Sequence, residues 1–140
     1  MNREEYAVAL RNRGYNCAQA VICAFADQCD LREEQLFAIS ECFGSGLGCT
    51  KGNCGALNGA CMLAGLHTST RHLHKPDSKG RTYMLERSIV QDFEKQAGAL
   101  VCRDIKGLDT GRVLYECEEC VRIAVRLVEQ YVLSGKESYE

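Results

Sequence analysis

Gly44-Ser45-Gly46-Leu47-Gly48-Cys49-Thr50-Lys51-Gly52-Asn53-Cys54-Gly55-Ala56-Leu57-Asn58-Gly59-Ala60 is the stretch on which the fold turns. Its first half places four glycines in nine residues, which breaks helical periodicity and marks a loop with unusual backbone conformations. Its second half opens a helix, predicted from Cys54 to about Leu66. There Gly55, Ala56, Gly59 and Ala60 set small residues four apart on one face. Side chains that small let another backbone approach closely, so this helix is expected to be central and tightly packed.

On either side of this stretch, every other periodic segment is helical. Asn2 to about Arg13 reads as a helix ended by Gly14. Asn16, with Gln19 three residues on, forms a capping box that opens a second helix from Cys17 to about Ala26. Asp30 with Glu33 repeats the box before a third helix, Leu31 to about Phe43, with Leu36, Ile39 and Phe43 at helical spacing. His67 to Lys75 is polar, and Pro76 bars a helix from continuing through it. A long amphipathic helix is predicted from about Ser78 to Gln96, a short turn from Cys102 to Lys106, and a last helix from about Thr110 to Leu133. No segment alternates long enough to be a strand. The sequence therefore predicts an all-α single domain over 1–140, a compact bundle of five to six helices with one glycine-rich loop.

The 140 residues suffice for one proper core. With 46% hydrophobic and 26% charged residues the balance is that of a globular protein. The net charge of -2, with acids and bases interspersed, offers no basic stripe for nucleic acid. No apolar run approaches the roughly 18 residues of a membrane span. The charged start, Met1-Asn2-Arg3-Glu4-Glu5, lacks the apolar core of a secretory signal, so a cytoplasmic location is expected.

Cysteine is the outlier, with ten residues, at 17, 23, 29, 42, 49, 54, 61, 102, 117 and 120. In a reducing compartment such thiols are core filler, metal ligands or redox groups. Cys54 falls at the first turn of its helix, and Cys17 follows its Asn16 cap. Both places have unpaired N–H groups and a helix dipole that stabilise a thiolate. On the last helix Leu114, Cys117, Ala124, Val125, Val128 and Val132 cluster on one face, with Cys120 on the flank, so Cys117 is expected to point into the core. The Cys117-Glu118-Glu119-Cys120 pair would lie two turns inside that helix among acids, which argues against a thioredoxin-like CxxC. Cys23, Cys29, Cys42 and Cys61 read as core. Cys49 lies in the glycine loop, five residues before Cys54, in a spacing that matches iron–sulfur proteins only weakly. His67, His72 and His74 fit no familiar ligand spacing and read as surface histidines.

These motifs carry a resemblance. Cys54-Gly55-Ala56-Leu57-Asn58-Gly59 resembles the CGAxxG motif of the C_GCAxxG_C_C family, redox-active proteins of about this length with four motif cysteines. The glycine-rich approach Phe43-Gly44-Ser45-Gly46-Leu47-Gly48 matches as well. The first family cysteine looks like Cys17 within Gly14-Tyr15-Asn16-Cys17-Ala18-Gln19-Ala20-Val21. The third looks like Cys102 in Cys102-Arg103-Asp104-Ile105-Lys106-Gly107-Leu108-Asp109. The fourth looks like Cys117, with Cys120 as the alternative. The likeness runs from about Gly14 to Val128. It implies a helical redox protein, encoded near transporters, without a settled reaction.

Two function classes are open to such a chain. In the first, Cys17, Cys54, Cys102 and Cys117 form a catalytic thiol site for electron transfer or thiol–disulfide exchange with an unknown redox partner. The same four are candidate metal ligands, for an iron–sulfur cluster or zinc. Scattered ligands argue against structural zinc, which favours close ligand pairs. In the second, the cysteines are packing in a non-catalytic module that serves a transporter, and the last helix is a seam between copies in a homo-oligomer.

Overall fold

The computed structural model describes residues 1–134. Among them are seven α-helices and no β-strand, so the all-α expectation holds. Asn2 caps α1 (Arg3–Asn12), its side-chain oxygen accepting from the Glu5 N–H at 2.8 Å. The Asn16 box opens α2 (Cys17–Ala24) as its sequence requires. Gln19 N–H donates to Asn16 Oδ1 at 2.9 Å, and Asn16 N–H donates to Gln19 Oε1 at 3.0 Å. The third helix differs from expectation. Asp30 is held by an ion pair with Arg71, so it caps nothing, and α3 (Glu33–Ser40) starts two residues late. There the Arg32 N–H donates to the Gln35 side chain at 3.0 Å.

Then come α4 (Gly55–Thr68), α5 (Lys79–Ala97), the short α6 (Cys102–Lys106) and α7 (Cys117–Leu127), which continues as a wider π-type turn over Val128–Leu133. The last helix starts at Cys117 rather than at the predicted Thr110. The segment before Cys117 is tied back on α6 instead, with Leu114 N–H donating to the Ile105 carbonyl and Gly111 N–H to that of Gly107, both at 2.8 Å. Cys117 is therefore the first residue of α7, not a residue two turns inside it.

The core is built where α2, α4 and α7 meet and where α1 and α5 cover them. Phe25, Ile22, Leu57, Leu63, Phe93 and Ile123 are fully buried there. Val121, Ala124 and Val125 of α7 and Val128 of its π-type extension are buried in this same interior, so the stripe read as a seam between copies is covered by the chain itself. Cys23 is buried as expected, and Cys29 and Cys61 are half-buried against the core. Cys42 is exposed, against expectation. The helical face it was assigned to ends at Ser40, and Cys42 sits in a tighter 3-10 turn, Glu41–Phe43. No described helix is long and apolar enough to cross a membrane.

The direction of packing decides which helix ends meet. A Cβ on Gly59 would lie 2.9 Å from the Ala18 carbonyl oxygen and 3.0 Å from Val21 Cβ, and one on Gly55 would lie 3.3 Å from Ala18 N. Later residues of α4 thus meet later residues of α2, so the two helices run side by side in the same sense, their N-termini together. The α1–α7 pair runs oppositely: Arg126 near the end of α7 reaches Glu4 at the start of α1, 2.8 Å apart.

The close approach is testable. Gly59→Ala is expected to cost about 1–3 kcal/mol through overpacking, read as a fall in Tm. Gly65→Ala, on the same helix with nothing within 4 Å of the added Cβ, should be neutral or stabilise by up to about 1 kcal/mol. Equal effects at both sites would contradict the packing described.

Candidate functional site

The shared direction of α2 and α4 brings Cys17, the first residue of α2, beside Cys54, the N-cap of α4. A second constraint adds Cys102. The chain before Cys54 and the chain before Cys102 are joined by a single antiparallel bridge, Asn53 to Val101. Cys54 N–H donates to the Leu100 carbonyl at 2.8 Å, and Cys102 N–H donates to that of Gly52 at 2.9 Å. The glycine loop closes over this bridge through left-handed turns at Ser45, Leu47 and Thr50. At Gly46 (φ +58) the loop touches the Cys102 side chain, where a Cβ would come within 2.5 Å of Cys102 Cβ. The late start of α7 supplies Cys117.

All four cysteines line one pocket of about 330 Å³, together with Arg11, Tyr15, Asn16, Ser45, Gly55 and Lys106. Cys117 was expected to point into the core. It is half-buried instead and faces the pocket, because a helix beginning at residue 117 turns its first side chain toward the neighbouring helix ends. Cys120, placed on the flank from sequence, is 1% exposed and lies behind the pocket beside Cys54.

The thiols meet in pairs. Cys17 acts on Cys117, and Cys54 on Cys120. In each pair one sulfur keeps the proton and the other is eased toward the thiolate. The hydrogen bond from Cys17 lowers the Cys117 thiol to about 6; burial opposes this, and the nearby charges of Lys106 and Arg11 assist. Cys17, the donor, is pushed well above the usual thiol range by that bond and by burial, against the pull of Arg11. Cys54 is likewise lowered, first by the Cys120 hydrogen bond and then, against burial, by the backbone N–H groups of Leu57 and Ala56. Those N–H groups are the unpaired donors of the first turn of α4, the usual source of thiolate stabilisation at a helix start. Cys120 is raised by the same bond and by burial. Cys102 has no thiol partner of this kind, and burial raises it while Lys106 pulls the other way.

All ten cysteines are free thiols. Among the described residues no three His, Cys, Asp or Glu side chains converge as a metal site requires. Paired thiols do not fit a four-thiolate cage as they stand, since such a cage needs its sulfurs disposed about one centre. The histidine stretch holds His72 against Asp77 at 2.9 Å on the surface, away from the thiols. Two members of the site carried no signal in the sequence, and a third, Cys120, carried one only as the alternative fourth motif cysteine. Arg11 sits on an ordinary amphipathic helix, Lys106 in a short turn, and Cys120 was placed by a helix start seven residues too early.

Comparison with known proteins adds one finding. A family model described as "Putative redox-active protein (C_GCAxxG_C_C)" matches residues 15–131, well over half of the chain. The matched stretch contains Cys17, Cys54, Cys102, Cys117 and Cys120. The label writes its central motif with glycine before cysteine, whereas in this chain Cys54 precedes Gly55. No curated protein and no solved structure matches.

The electrostatics have a direct readout. Alkylation of Cys117 by iodoacetamide, followed by peptide mapping, is expected to be half-maximal near pH 6. Below that pH the thiolate is protonated and the rate should fall about tenfold per pH unit. Cys17→Ala removes the donor, so the midpoint should move up toward the ordinary thiol value of 9.0. A wild-type midpoint already near that value would contradict the site as described.

Proposed function

We propose, since this chain belongs to the C_GCAxxG_C_C family, that it is a thiol–disulfide redox protein whose working couple is Cys17 and Cys117. The observation that carries this reading is the meeting of Cys17, the first residue of α2, and Cys117, the first residue of α7, in one open pocket, where Cys117 is inclined toward the thiolate. A nucleophile with a resolving thiol in the same pocket is what disulfide exchange needs.

The Cys117 thiolate attacks one sulfur of a partner disulfide. A Cys117–partner mixed disulfide forms, and the other partner sulfur leaves as a thiolate. Cys17 then gives its proton to that leaving sulfur and attacks Cys117 Sγ. The Cys17–Cys117 disulfide forms and the second partner sulfur departs, taking a proton from water. Two electrons and one proton pass from the protein to the partner, the second proton coming from water, and the reverse sequence reduces the protein again. Cys54 and Cys120 make a second couple behind the first. Cys120 lies three residues from Cys117 in the first turn of α7, a short route between the couples. Cys102 closes the wall of the pocket at the bridge.

The four-thiolate reading of Cys17, Cys54, Cys102 and Cys117, with an iron–sulfur cluster or zinc, has less support because the sulfurs meet in twos and Cys120 takes one place in the pairing. The packing-module reading has less support because Cys17 and Cys117 are only half-buried and line a solvent-reaching pocket with Arg11 and Lys106.

The reading is tested by titrating the reduced protein in a dithiothreitol redox buffer, with mass analysis and peptide mapping. A reversible two-electron couple is expected, with loss of about 2 Da per disulfide formed and the first link between Cys17 and Cys117. Cys117→Ser should abolish that link. Cys17→Ser should accumulate the mixed disulfide on Cys117. Absence of a reversible couple, or a first link elsewhere such as between the exposed Cys42 and Cys49, would sink the proposal. Iron with acid-labile sulfide in protein purified without oxygen would replace it with the cluster reading.

A further inference from the structure

The pocket is asymmetric in charge. Arg11 and Lys106 line it, and no carboxylate does. Glu116, Glu118 and Glu119 are neighbours of Cys117 in sequence, yet none of them is among the lining residues, and Glu119 is engaged by Arg122 at 3.6 Å. Several arginines elsewhere are paired with acids, among them Arg3 with Asp27, Arg103 with Asp109 and Arg126 with Glu4. Among the described residues neither Arg11 nor Lys106 has such an ion-pair partner. Their charge is directed at the sulfurs, Arg11 at Cys17 and Cys117, and Lys106 at Cys102 and Cys117.

Two cations and no carboxylate line the pocket, so thiolate sulfur is all that balances them there. When Cys117 and Cys17 join in a disulfide that negative charge is gone, and both cations face the pocket without it. The first residues of α2 and α7 also present their positive ends there. The volume, about 330 Å³, admits a small molecule and is too tight for a folded domain to enter.

We infer that the pocket selects a small anionic disulfide, one bearing carboxylates next to its sulfurs, as the oxidant of the Cys17–Cys117 couple. This rests on the redox reading and names its substrate class. The carboxylates sit against Arg11 and Lys106 while Cys117 attacks the disulfide bond. As that bond breaks, its electron pair moves to the leaving sulfur, and the same two cations meet the new thiolate. The second exchange, by Cys17, releases the other half of the substrate. One disulfide is consumed, two small thiols leave, and one protein disulfide remains.

The experiment compares three small disulfides that differ in charge: dithiodipropionate with two carboxylates, hydroxyethyl disulfide with none, and cystamine with two ammonium groups. Each rate of oxidation of the reduced full-length protein is divided by the rate of the same disulfide with free mercaptoethanol, which removes its intrinsic reactivity. Dithiodipropionate is expected to react about tenfold faster than hydroxyethyl disulfide, and cystamine about tenfold slower, at low salt. The ordering should shrink toward unity in about 1 M salt. In the double variant Arg11→Gln with Lys106→Gln all three rates should fall together as Cys117 loses thiolate character, but the ratios among them should approach one. Arg11→Lys should retain the ordering.

Equal normalised rates in the wild-type protein would overturn the inference while leaving the redox reading intact, the two cations then serving the thiolate alone. An ordering that survives the double variant would also overturn it, by placing the selecting charge elsewhere. Failure of all three disulfides to oxidise the protein would overturn the redox reading and this inference with it.

Discussion

The close contact between α2 and α4 governs the whole arrangement of the molecule. Two helices that carry a cysteine at their first turn can share a site only if those turns lie at the same end and close together. Gly55 and Gly59 make that approach by removing the side chains that would hold α4 away from Ala18 and Val21. Because the two helices run in the same sense, the N–H groups that each leaves unpaired point into one region. The hydrophobic residues around this contact, Ile22, Leu57 and Leu63 among them, supply the burial that holds it.

Once the helix ends are gathered, the chemistry of sulfur is set by a contest between burial and hydrogen bonding. Burial favours the neutral thiol for every one of these cysteines. Two of them escape it, Cys117 and Cys54, because each accepts a hydrogen bond from a second thiol. The donors, Cys17 and Cys120, hold their protons correspondingly tightly. Cys102, with no such donor, follows burial. On the proposed reading, activation is thus a property of pairs and comes with a resolving thiol in place. The proposed two-electron exchange rests on this pairing, whereas a metal cage would need all four sulfurs deprotonated and disposed about one centre.

The glycine loop acts on the site by shape. Its left-handed turns at Ser45, Leu47 and Thr50 fold it back onto the bridge between Asn53 and Val101. That bridge joins a single residue pair and leaves no periodic trace, yet it sets Cys102 beside Cys54, two stretches far apart along the chain. Arg103, one residue on, holds the same region together by pairing with Asp109 at 2.7 Å and reaching Thr50 at 3.4 Å.

Local information was enough for the helical class, for the Asn16–Gln19 cap, for the small-residue face of α4 and for the placement of Cys17 and Cys54 at helix starts. Each of these depends on residues within one or two turns of each other, where spacing and capping chemistry act directly. The motif resemblance named Cys102 and Cys117 without any reason visible in their own surroundings. Tertiary structure alone decided that α7 starts at Cys117, since hydrogen bonds to Gly107 and Ile105 override the helical pattern of 110–116. That seven-residue shift moves Cys117 from the core to the pocket and gives Cys120 to Cys54. It likewise decided that Arg11 and Lys106 face sulfur rather than water. The physical reason is the same throughout: periodicity reports which face of an element is apolar, whereas the meeting of separate helix ends depends on how close their backbones pass and which distant groups satisfy their polar atoms.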